Sequence, residues 1–275
     1  MQIGIYTNTQ KDKNLSKTLK LATSLEKKGA SVLVYGEKAA KSLGVIDAFT
    51  ISDIPVAMLV LGGDGTILNI VDFCAAADIP ILGINLGRVG FLTGLEDIGI
   101  AEIFNLITNK NTKKEQRCML EIEFNGKSYL ALNEVALNRK LSSKMLSVNV
   151  SVDNNFVAQY NADGFIVATP TGSTAYSLSA GGPIIAHNAD CFALTAICPH
   201  TLNARPMVVA SNSHVTLTSD SDAIIIIDGK GEHILRATSH VYIKKAPEKA
   251  TFIAPDGLNF FTRLQQKLNI WGRVK

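Results

Sequence analysis

The stretch that most constrains this chain is an apolar run, Val56 to Leu61, followed at once by Gly62-Gly63-Asp64-Gly65-Thr66. A short apolar run that ends at turn residues predicts a buried strand. The residues after Thr66, 67–77, form an amphipathic stretch of helical length. A strand, a glycine loop and a helix in this order point backbone N–H groups at an anion, and glycines let a phosphate come close to the main chain. The pattern therefore predicts a phosphate-binding loop made by Gly62, Gly63, Gly65 and Thr66.

Asp64 lies at the centre of this loop and is its one acidic residue. Its carboxylate would repel a phosphate unless it binds a metal ion or accepts a proton from an attacking hydroxyl. Glycines and aspartates are also ordinary residues of tight turns in α/β domains. The pentapeptide alone leaves a catalytic loop and a simple turn as alternatives.

Composition excludes several classes of protein. A chain of 275 residues with 47% hydrophobic and 19% charged residues is globular and holds one large domain or two ordinary ones. The net charge of +3 is too small to indicate nucleic-acid binding, and no apolar run reaches the roughly 18 residues of a membrane span. The four cysteines show no CxxC pair, and the chain starts as a strand without a signal peptide. We expect a cytoplasmic protein with neither a nucleic-acid nor a membrane partner.

Strands and helices alternate through the first part of the chain. The pattern predicts them in turn at residues 3–7, 13–28, 31–35, 39–43, 56–61, 67–77, 79–84 and 98–108. Such alternation predicts a parallel sheet with helices on both faces, whose ligands bind at the carboxyl ends of the strands. We therefore expect a Rossmann-like α/β domain over residues 1–115. The stretch 85–93 follows a second strand end, and it is either a ligand-facing loop or a glycine-bearing connection.

The pattern then changes to short alternating strands joined by turns. Strands are predicted at residues 119–124, 128–132, 146–152, 156–160, 165–168, 207–210, 214–218, 223–227 and 240–244. This predicts a β-rich, sandwich-like domain over residues 116–250. The C-terminal segment, residues 251–275, is expected to pack back on the first domain.

Two polar stretches of this second part are candidate binding residues. Thr169 to Thr174 supplies hydroxyls and free amides between a strand and a stretch from Ala175 that can start a helix, which suits a polyphosphate or a ribose, although it is also typical of an ordinary loop. Asn133-Glu134 offers an amide and a carboxylate for a base edge or ribose hydroxyls, or is a solvated pair on an edge strand. Asp163 is either a ligand contact or a turn residue.

With these motifs in hand, the sequence resembles the NAD kinase family over most of its length. The resemblance is carried by Gly62 to Thr66, Asn85-Leu86-Gly87, Gly90 to Thr93, Asn133-Glu134, Asp163-Gly164, Thr169 to Pro183, Cys198-Pro199-His200 and Arg205-Pro206. The Thr169 to Tyr176 stretch is the specific one, since lipid kinases and phosphofructokinases carry relatives of the first motif.

The resemblance implies transfer of the γ-phosphoryl group of ATP, or of inorganic polyphosphate in some members, to the 2′-hydroxyl of the adenosine ribose of NAD, giving NADP. It implies a divalent cation, with Mg²⁺ the first choice, no protein ligand for it identified, and self-association into dimers or tetramers. Asp64 corresponds to the general base. The implied NAD contacts are Asp64, Gly65, Asn133, Glu134, Lys144, Asn161, Asp163, Thr174, Ala175, Tyr176, Ser177, Leu178 and Ser179.

One residue departs from the family pattern: Lys230 stands where a glutamine is common. Two alternatives to an NAD kinase are a lipid kinase that shares the glycine motif and a dinucleotide-binding regulator without activity. Loss of Asp64 would be the mark of such a regulator, and Asp64 is present.

Overall fold

The computed structural model describes residues 1–50, 54–87, 90–93, 95, 99–140, 144–255 and 259–272. The chain divides into two compact units, which are described separately. The first unit consists of Met1–Gln116 with Ala250–Lys275, and the second is Arg117–Lys249.

The elements are named in chain order. The strands are β1 (Gln2–Thr7), β2 (Ser31–Tyr35), β3 (Met58–Gly62), β4 (Ile81–Asn85), β5 (Lys114–Phe124), β6 (Lys127–Ala131), β7 (Glu134–Arg139), β8 (Leu146–Val152), β9 (Asn155–Ala162), β10 (Gly164–Ala168), β11 (Cys191–Ile197), β12 (Met207–Ala210), β13 (Val215–Ser219), β14 (Ala223–Ile227), β15 (Lys230–Leu235) and β16 (His240–Ile253). The helices are α1 (Ser16–Glu26), α2 (Glu37–Leu43), α3 (Asp64–Leu68), α4 (Val71–Ala76), α5 (Ile100–Thr108), α6 (Tyr176–Ser179) and α7 (Phe260–Gly272).

The first unit is built on a parallel sheet in the order β2-β1-β3-β4. The end of β16 adds to β4 in parallel through the pair Phe252 and Ile81. Every residue of β3 and β4 is buried, as expected for central strands covered by helices on both faces. The predicted α/β fold is confirmed. The carboxyl ends of β1, β3 and β4 lead into the segments that hold the first set of candidate residues.

Two predicted helices of this unit differ from the observed ones. The helix predicted at 13–28 begins only at Ser16, because Asn14 and Leu15 adopt positive φ angles of 56° and 53°. The buried Asp12 carboxylate then accepts the N–H groups of the first turn, those of Lys17 at 3.0 Å and Thr18 at 2.9 Å.

The single helix predicted at 67–77 is two short helices, α3 and α4. The Ile70 N–H donates to the Ile67 carbonyl only three residues back, which interrupts the regular ladder between them. The helix also starts earlier than predicted, at Asp64 instead of after Thr66.

The second unit has an apolar core, which lies between two sheets. One is fully antiparallel in the order β12-β11-β10-β7-β14-β15, and the other pairs β16, β13, β8 and β9. Alternate residues of both sheets are buried in one shared apolar cluster that includes Val135 and Phe165 from the first and Val148 and Leu217 from the second. The predicted β-rich, sandwich-like fold is confirmed. Three of its strands, β7, β11 and β15, were not predicted.

The opposite face of the six-stranded sheet is covered by the chain after β10. Ile166 and Ala168 of β10 form a second apolar cluster with Ile185. The stretch Thr169 to Pro183, whose first part, Thr169 to Thr174, is the predicted ligand loop, leads from β10 to Ile185 on this face. Among the described residues, no helix is both long and apolar enough to cross a bilayer.

Candidate functional site

In the first unit, Asp64 is the first residue of α3 and follows β3 after Gly63. A carboxylate in the first turn of a helix is favoured by the unpaired N–H groups there, which reduces the charge conflict expected for an acid in a glycine loop. The side chain is half-buried.

The Asp64 carboxylate is held by three consecutive backbone N–H groups from the segment after β4. Phe91 donates to Oδ2 at 2.7 Å, and Leu92 and Thr93 donate to Oδ1 at 3.0 Å and 3.2 Å. Gly90 lies directly against the carboxylate, since a Cβ added there would come 1.8 Å from Oδ1. The glycine loop and the stretch 85–93, which the sequence suggested separately, thus meet at Asp64.

This arrangement leaves a defined acceptor position on Asp64. A carboxylate has about four lone-pair positions, two on each oxygen. Oδ1 accepts two N–H groups and Oδ2 accepts one from the described residues. Oδ2 is therefore the oxygen that keeps a position for a proton or a substrate hydroxyl.

Thr66 and the first two glycines mainly build the loop. The Thr66 hydroxyl oxygen, which is buried, accepts the Gly63 N–H at 3.2 Å and the Asn8 amide at 3.3 Å. Gly62 packs on the same side chain, because a Cβ there would lie 2.2 Å from the Thr66 oxygen. Gly65 is exposed. Phosphate binding by these four residues stays a prediction.

Lys11 is a cation at this loop that the sequence analysis did not name. Its ammonium nitrogen lies 3.3 Å from where a Cβ of Gly63 would be, and 3.7 Å from that of Gly87. The Asn8 side chain bends the chain here by accepting the N–H groups of Gln10 and Lys11 at 3.0 Å and 3.1 Å. Its place in the sequence could have indicated this role, because Lys11 follows β1 at the same edge of the sheet as the glycine loop.

In the second unit, Glu134 is the first residue of β7 and Asn133 precedes it directly; β7 lies between β10 and β14 in the sheet. Both are buried, with 9% and 6% of their surface exposed. The alternative of a solvated pair on an edge strand is therefore wrong.

The carboxylate of Asp228 holds the backbone of residues 132–134, a role that the sequence did not predict. The buried carboxylate accepts the N–H groups of Leu132 at 2.8 Å, Asn133 at 2.7 Å and Glu134 at 3.1 Å. Asp228 sits in the tight turn between β14 and β15, where it and Gly229 both have positive φ. An Asp-Gly dipeptide after an apolar strand signals such a hairpin, but not the partner of its carboxylate.

Glu134 is an unusual acid in this environment. Burial, with a further contribution from the Asp228 charge, raises the pKa of Glu134 to about 8, against a smaller opposing effect of the Tyr176 N–H. Its Oε2 atom is buried and has no hydrogen-bond partner among the described residues. At neutral pH the carboxyl is mostly protonated, so it offers a hydrogen-bond donor as well as an acceptor.

The Thr169 to Thr174 loop is attached directly to this pair. The Thr169 N–H donates to the Asn133 carbonyl at 2.8 Å, and its hydroxyl donates to the Leu132 carbonyl at 2.5 Å. Gly172 packs on Asn133 so closely that a Cβ would lie 2.1 Å from its carbonyl oxygen. The loop and the pair therefore form one cluster.

Several hydroxyls of this stretch bind the protein itself. The buried Ser177 hydroxyl contacts that of Thr195 at 3.2 Å, and the Thr174 hydroxyl donates to the Thr171 carbonyl at 3.2 Å. Tyr176 and Ser179 are exposed, whereas Thr174, Ala175 and Leu178 are half-buried. The helix predicted from Ala175 is only the four-residue α6.

Asn161 and Asp163 lie at the other end of β10. Gly164 pairs with Asn138 while Ala168 pairs with Glu134, which separates the two ends by about 13 Å. The Asp163 carboxylate binds the Arg139 guanidinium at 2.6 Å, and the Asn161 side chain accepts the Ser147 hydroxyl at 2.9 Å.

Burial raises the pKa of the Tyr176 hydroxyl, and the charges of Cys198, Asp163 and Glu134 raise it further, so acids from both ends of β10 act on this side chain. Lys144 is exposed and lies two residues before Leu146, whose partner in β9 is Ala162. The preceding loop residues, 141–143, lie outside the described part of the chain.

A metal ion has no ready-made cage in either unit. Within the described ranges, no three His, Cys, Asp or Glu side chains cluster in a way that could hold one. Asp64 is a lone carboxylate, which suits Mg²⁺ carried mainly by substrate phosphates and water.

Comparison with known proteins agrees with the motifs. The family models for the ATP-NAD kinase N-terminal domain and C-terminal domain match residues 3–112 and 132–254. An NAD kinase of Thermoanaerobacter sp. (strain X514) is 37% identical, covering 97% of this chain and 98% of that protein. An NAD kinase of Lachnoclostridium phytofermentans is 35% identical, covering 96% and 97%.

Two solved structures share the fold. A yeast NADH kinase complexed with NADH has a TM-score of 0.88 at 22% identity, covering 100% of this chain and 89% of that one. An NAD kinase from Archaeoglobus fulgidus in complex with ATP has a TM-score of 0.77 at 27% identity, covering 98% and 99%. With both family domains matched and relatives similar over nearly their full length, the chain belongs to the NAD kinase family and is an enzyme of the kinase class.

Proposed function

We propose that this protein transfers the γ-phosphoryl group of ATP to the 2′-hydroxyl of the adenosine ribose of NAD, with Asp64 as the general base. The observation that carries the proposal is the Asp64 carboxylate, fixed by three N–H groups with one position left on Oδ2. The hydroxyl proton passes to Oδ2, the ribose oxygen forms a bond to the γ-phosphorus, and the bond to the bridging oxygen of ADP breaks. The products are NADP and ADP.

Phosphoryl transfer depends mainly on placement and on neutralising phosphate charge. Lys11 supplies a positive charge at the glycine loop, and the exposed Gly65 leaves backbone free of a side chain. A Mg²⁺ bound with the donor phosphates would neutralise charge on the transferred group. ATP is also the ligand of the related Archaeoglobus enzyme.

NAD binding is assigned to the second unit. Glu134 in its protonated form donates to a ribose or base acceptor, and Asn133 offers an amide beside it. Tyr176 and Ser179 of this unit present exposed surface, whereas Asp163, Asn161 and Lys144 belong to the far end of β10 and contact the remainder of the ligand. Gly65, a further predicted NAD contact, belongs to the first unit. The related yeast enzyme was solved with NADH. Self-association into a dimer or tetramer remains a prediction from the family resemblance.

The reaction is tested by offering the purified protein ATP or polyphosphate as donor and NAD, NADH or a diacylglycerol as acceptor, with NADP read by a coupled dehydrogenase. We expect NADP from ATP and NAD, and its loss on chelation with EDTA. Phosphorylation of the diacylglycerol alone would replace the proposal with a lipid kinase. NAD binding without any phosphorylation would indicate a regulator.

Asp64→Asn removes the proton acceptor while keeping the size of the side chain. We expect turnover to fall at least ~100-fold with NAD affinity changed no more than a few-fold, as for loss of a general base. Asp78→Asn is the matched control, because Asp78 is an exposed acid with a positive φ that asparagine tolerates. Full activity in a folded Asp64→Asn protein would remove Asp64 from the mechanism.

Lys11→Met removes the cation at the glycine loop and keeps the apolar stem. We expect KM for ATP to rise roughly tenfold, with KM for NAD within twofold, because a charge-assisted phosphate contact is lost. The exposed neighbour Lys13, changed to Met, controls for the general loss of charge. Equal KM values for ATP in both variants would exclude a role of Lys11 in donor binding.

Glu134→Gln tests the raised pKa through stability. The folded protein keeps the Glu134 proton up to about pH 8, whereas the ordinary pKa is 4.5. Stability from this group is thus full below about pH 4.5 and is lost as the pH rises towards about 8, a loss that glutamine does not show.

We therefore expect the unfolding midpoint of the wild type to fall relative to that of Glu134→Gln between pH 5 and pH 9. The exposed Glu232, changed to Gln, should give a constant difference. Parallel curves for Glu134→Gln would mean that Glu134 is ionised in the folded protein.

A further inference from the structure

Arg263 of α7 is buried and contacts the segment that holds Asp64. Its guanidinium donates from Nη1 to the Phe91 carbonyl at 2.8 Å, across 172 positions of sequence, and only 8% of the residue is exposed. Burial lowers the pKa of Arg263, while the charges of Glu115 and Asp64 oppose that effect. Burying a guanidinium costs folding free energy unless the group is paired and hydrogen-bonded. A buried arginine at this position therefore points to a specific role.

The contact lies on the peptide unit that joins Phe91 to Leu92. A trans peptide is planar, and its C=O and N–H point in opposite directions. Arg263 holds the C=O of this unit on one side, and the N–H of the same unit, that of Leu92, donates to Asp64 Oδ1 at 3.0 Å on the other. Fixing the carbonyl therefore fixes the direction of the N–H.

We propose that Arg263 is a positioning residue for Asp64, acting through the Phe91–Leu92 peptide. The hydrogen bond to the carbonyl also polarises the peptide, which strengthens the bond from its N–H to the carboxylate. With the guanidinium removed, the peptide loses the hydrogen bond from Arg263, and the direction of the Leu92 N–H is held less firmly. The Asp64 carboxylate then keeps its bonds from Phe91 and Thr93 but is positioned less precisely. This role rests on the proposed function of Asp64 as the base.

Three substitutions separate the properties of the side chain. Arg263→Lys keeps the charge and a donor, Arg263→Gln keeps a donor without charge, and Arg263→Met keeps neither. We expect kcat to fall roughly tenfold in the Gln variant and further in the Met variant, with partial recovery in the Lys variant, because small misplacements of a reacting group have such effects. KM for NAD and ATP should stay within about threefold.

The decisive measurement combines these changes with Asp64→Asn. If Arg263 acts through Asp64, Arg263→Gln should cause no further loss of kcat in the Asp64→Asn background. A merely structural role would give the same fold-loss in both backgrounds. Gln266→Met, at an exposed position of the same helix, should leave kcat unchanged.

A second readout does not use activity. Hydrogen exchange of the Phe91 to Thr93 amides should speed up in Arg263→Gln and stay unchanged in Gln266→Met. Should the wild type form no NADP, the proposed function fails, yet the exchange result still tests the Arg263 contact. Equal losses in both backgrounds, an unchanged kcat in a folded Arg263→Met protein, or unaltered exchange would overturn the proposal.

Discussion

The structure of both candidate clusters depends on one interaction, a carboxylate that accepts the N–H groups of three consecutive residues. Asp64 accepts those of residues 91–93, and Asp228 accepts those of residues 132–134. Consecutive N–H groups that converge on one point form a concave anion site. Here the anion is a side chain of the same chain, so a distant residue fixes the backbone beside it. The backbone of each site is therefore held by bonds from its N–H groups to a distant side-chain carboxylate.

This construction uses many of the polar groups that the sequence offered as ligand contacts. The hydroxyls of Thr66, Thr169 and Ser177 bind other groups of the protein. Their effect is to hold the loops rigid, and a rigid support is what a reacting group needs to stay within tenths of an ångström of its working position. The groups left for ligands are fewer than the motifs suggest, and the exposed candidates include Gly65, Tyr176 and Ser179.

The sequence predicts the parts of the fold that depend on local patterns. Apolar runs gave most strands, and the glycine-rich stretches located both clusters, because these signals act over a few residues. The roles of Asp228 and Arg263 were not predicted, because their partners are far away in sequence. The partners of Asp228 lie 94 to 96 positions away, and that of Arg263 lies 172 positions away. The protonation of Glu134 is likewise invisible in the sequence, since it follows from burial and from the Asp228 charge. The break between α3 and α4 lies at Ile70, a fully buried residue whose N–H donates to the Ile67 carbonyl, and the local pattern does not show it.

The two buried acids of the second unit differ in the number of backbone N–H groups that they accept, and this number affects the pKa of each. Burial raises the pKa of both, but Asp228 has three backbone N–H donors that oppose the rise, whereas Glu134 has the single N–H of Tyr176. Hydrogen bonds to the charged form favour it, so the three N–H groups at Asp228 oppose the effect of burial on its pKa more than the single N–H does at Glu134. Asp228 then serves as an anchor for the backbone, and Glu134 becomes a donor at the ligand side. Asp64 accepts three N–H groups in the same pattern as Asp228, two on Oδ1 and one on Oδ2. It differs in exposure: Asp228 is buried, whereas Asp64 is only half-buried, so the remaining position on Oδ2 of Asp64 is open to a substrate hydroxyl.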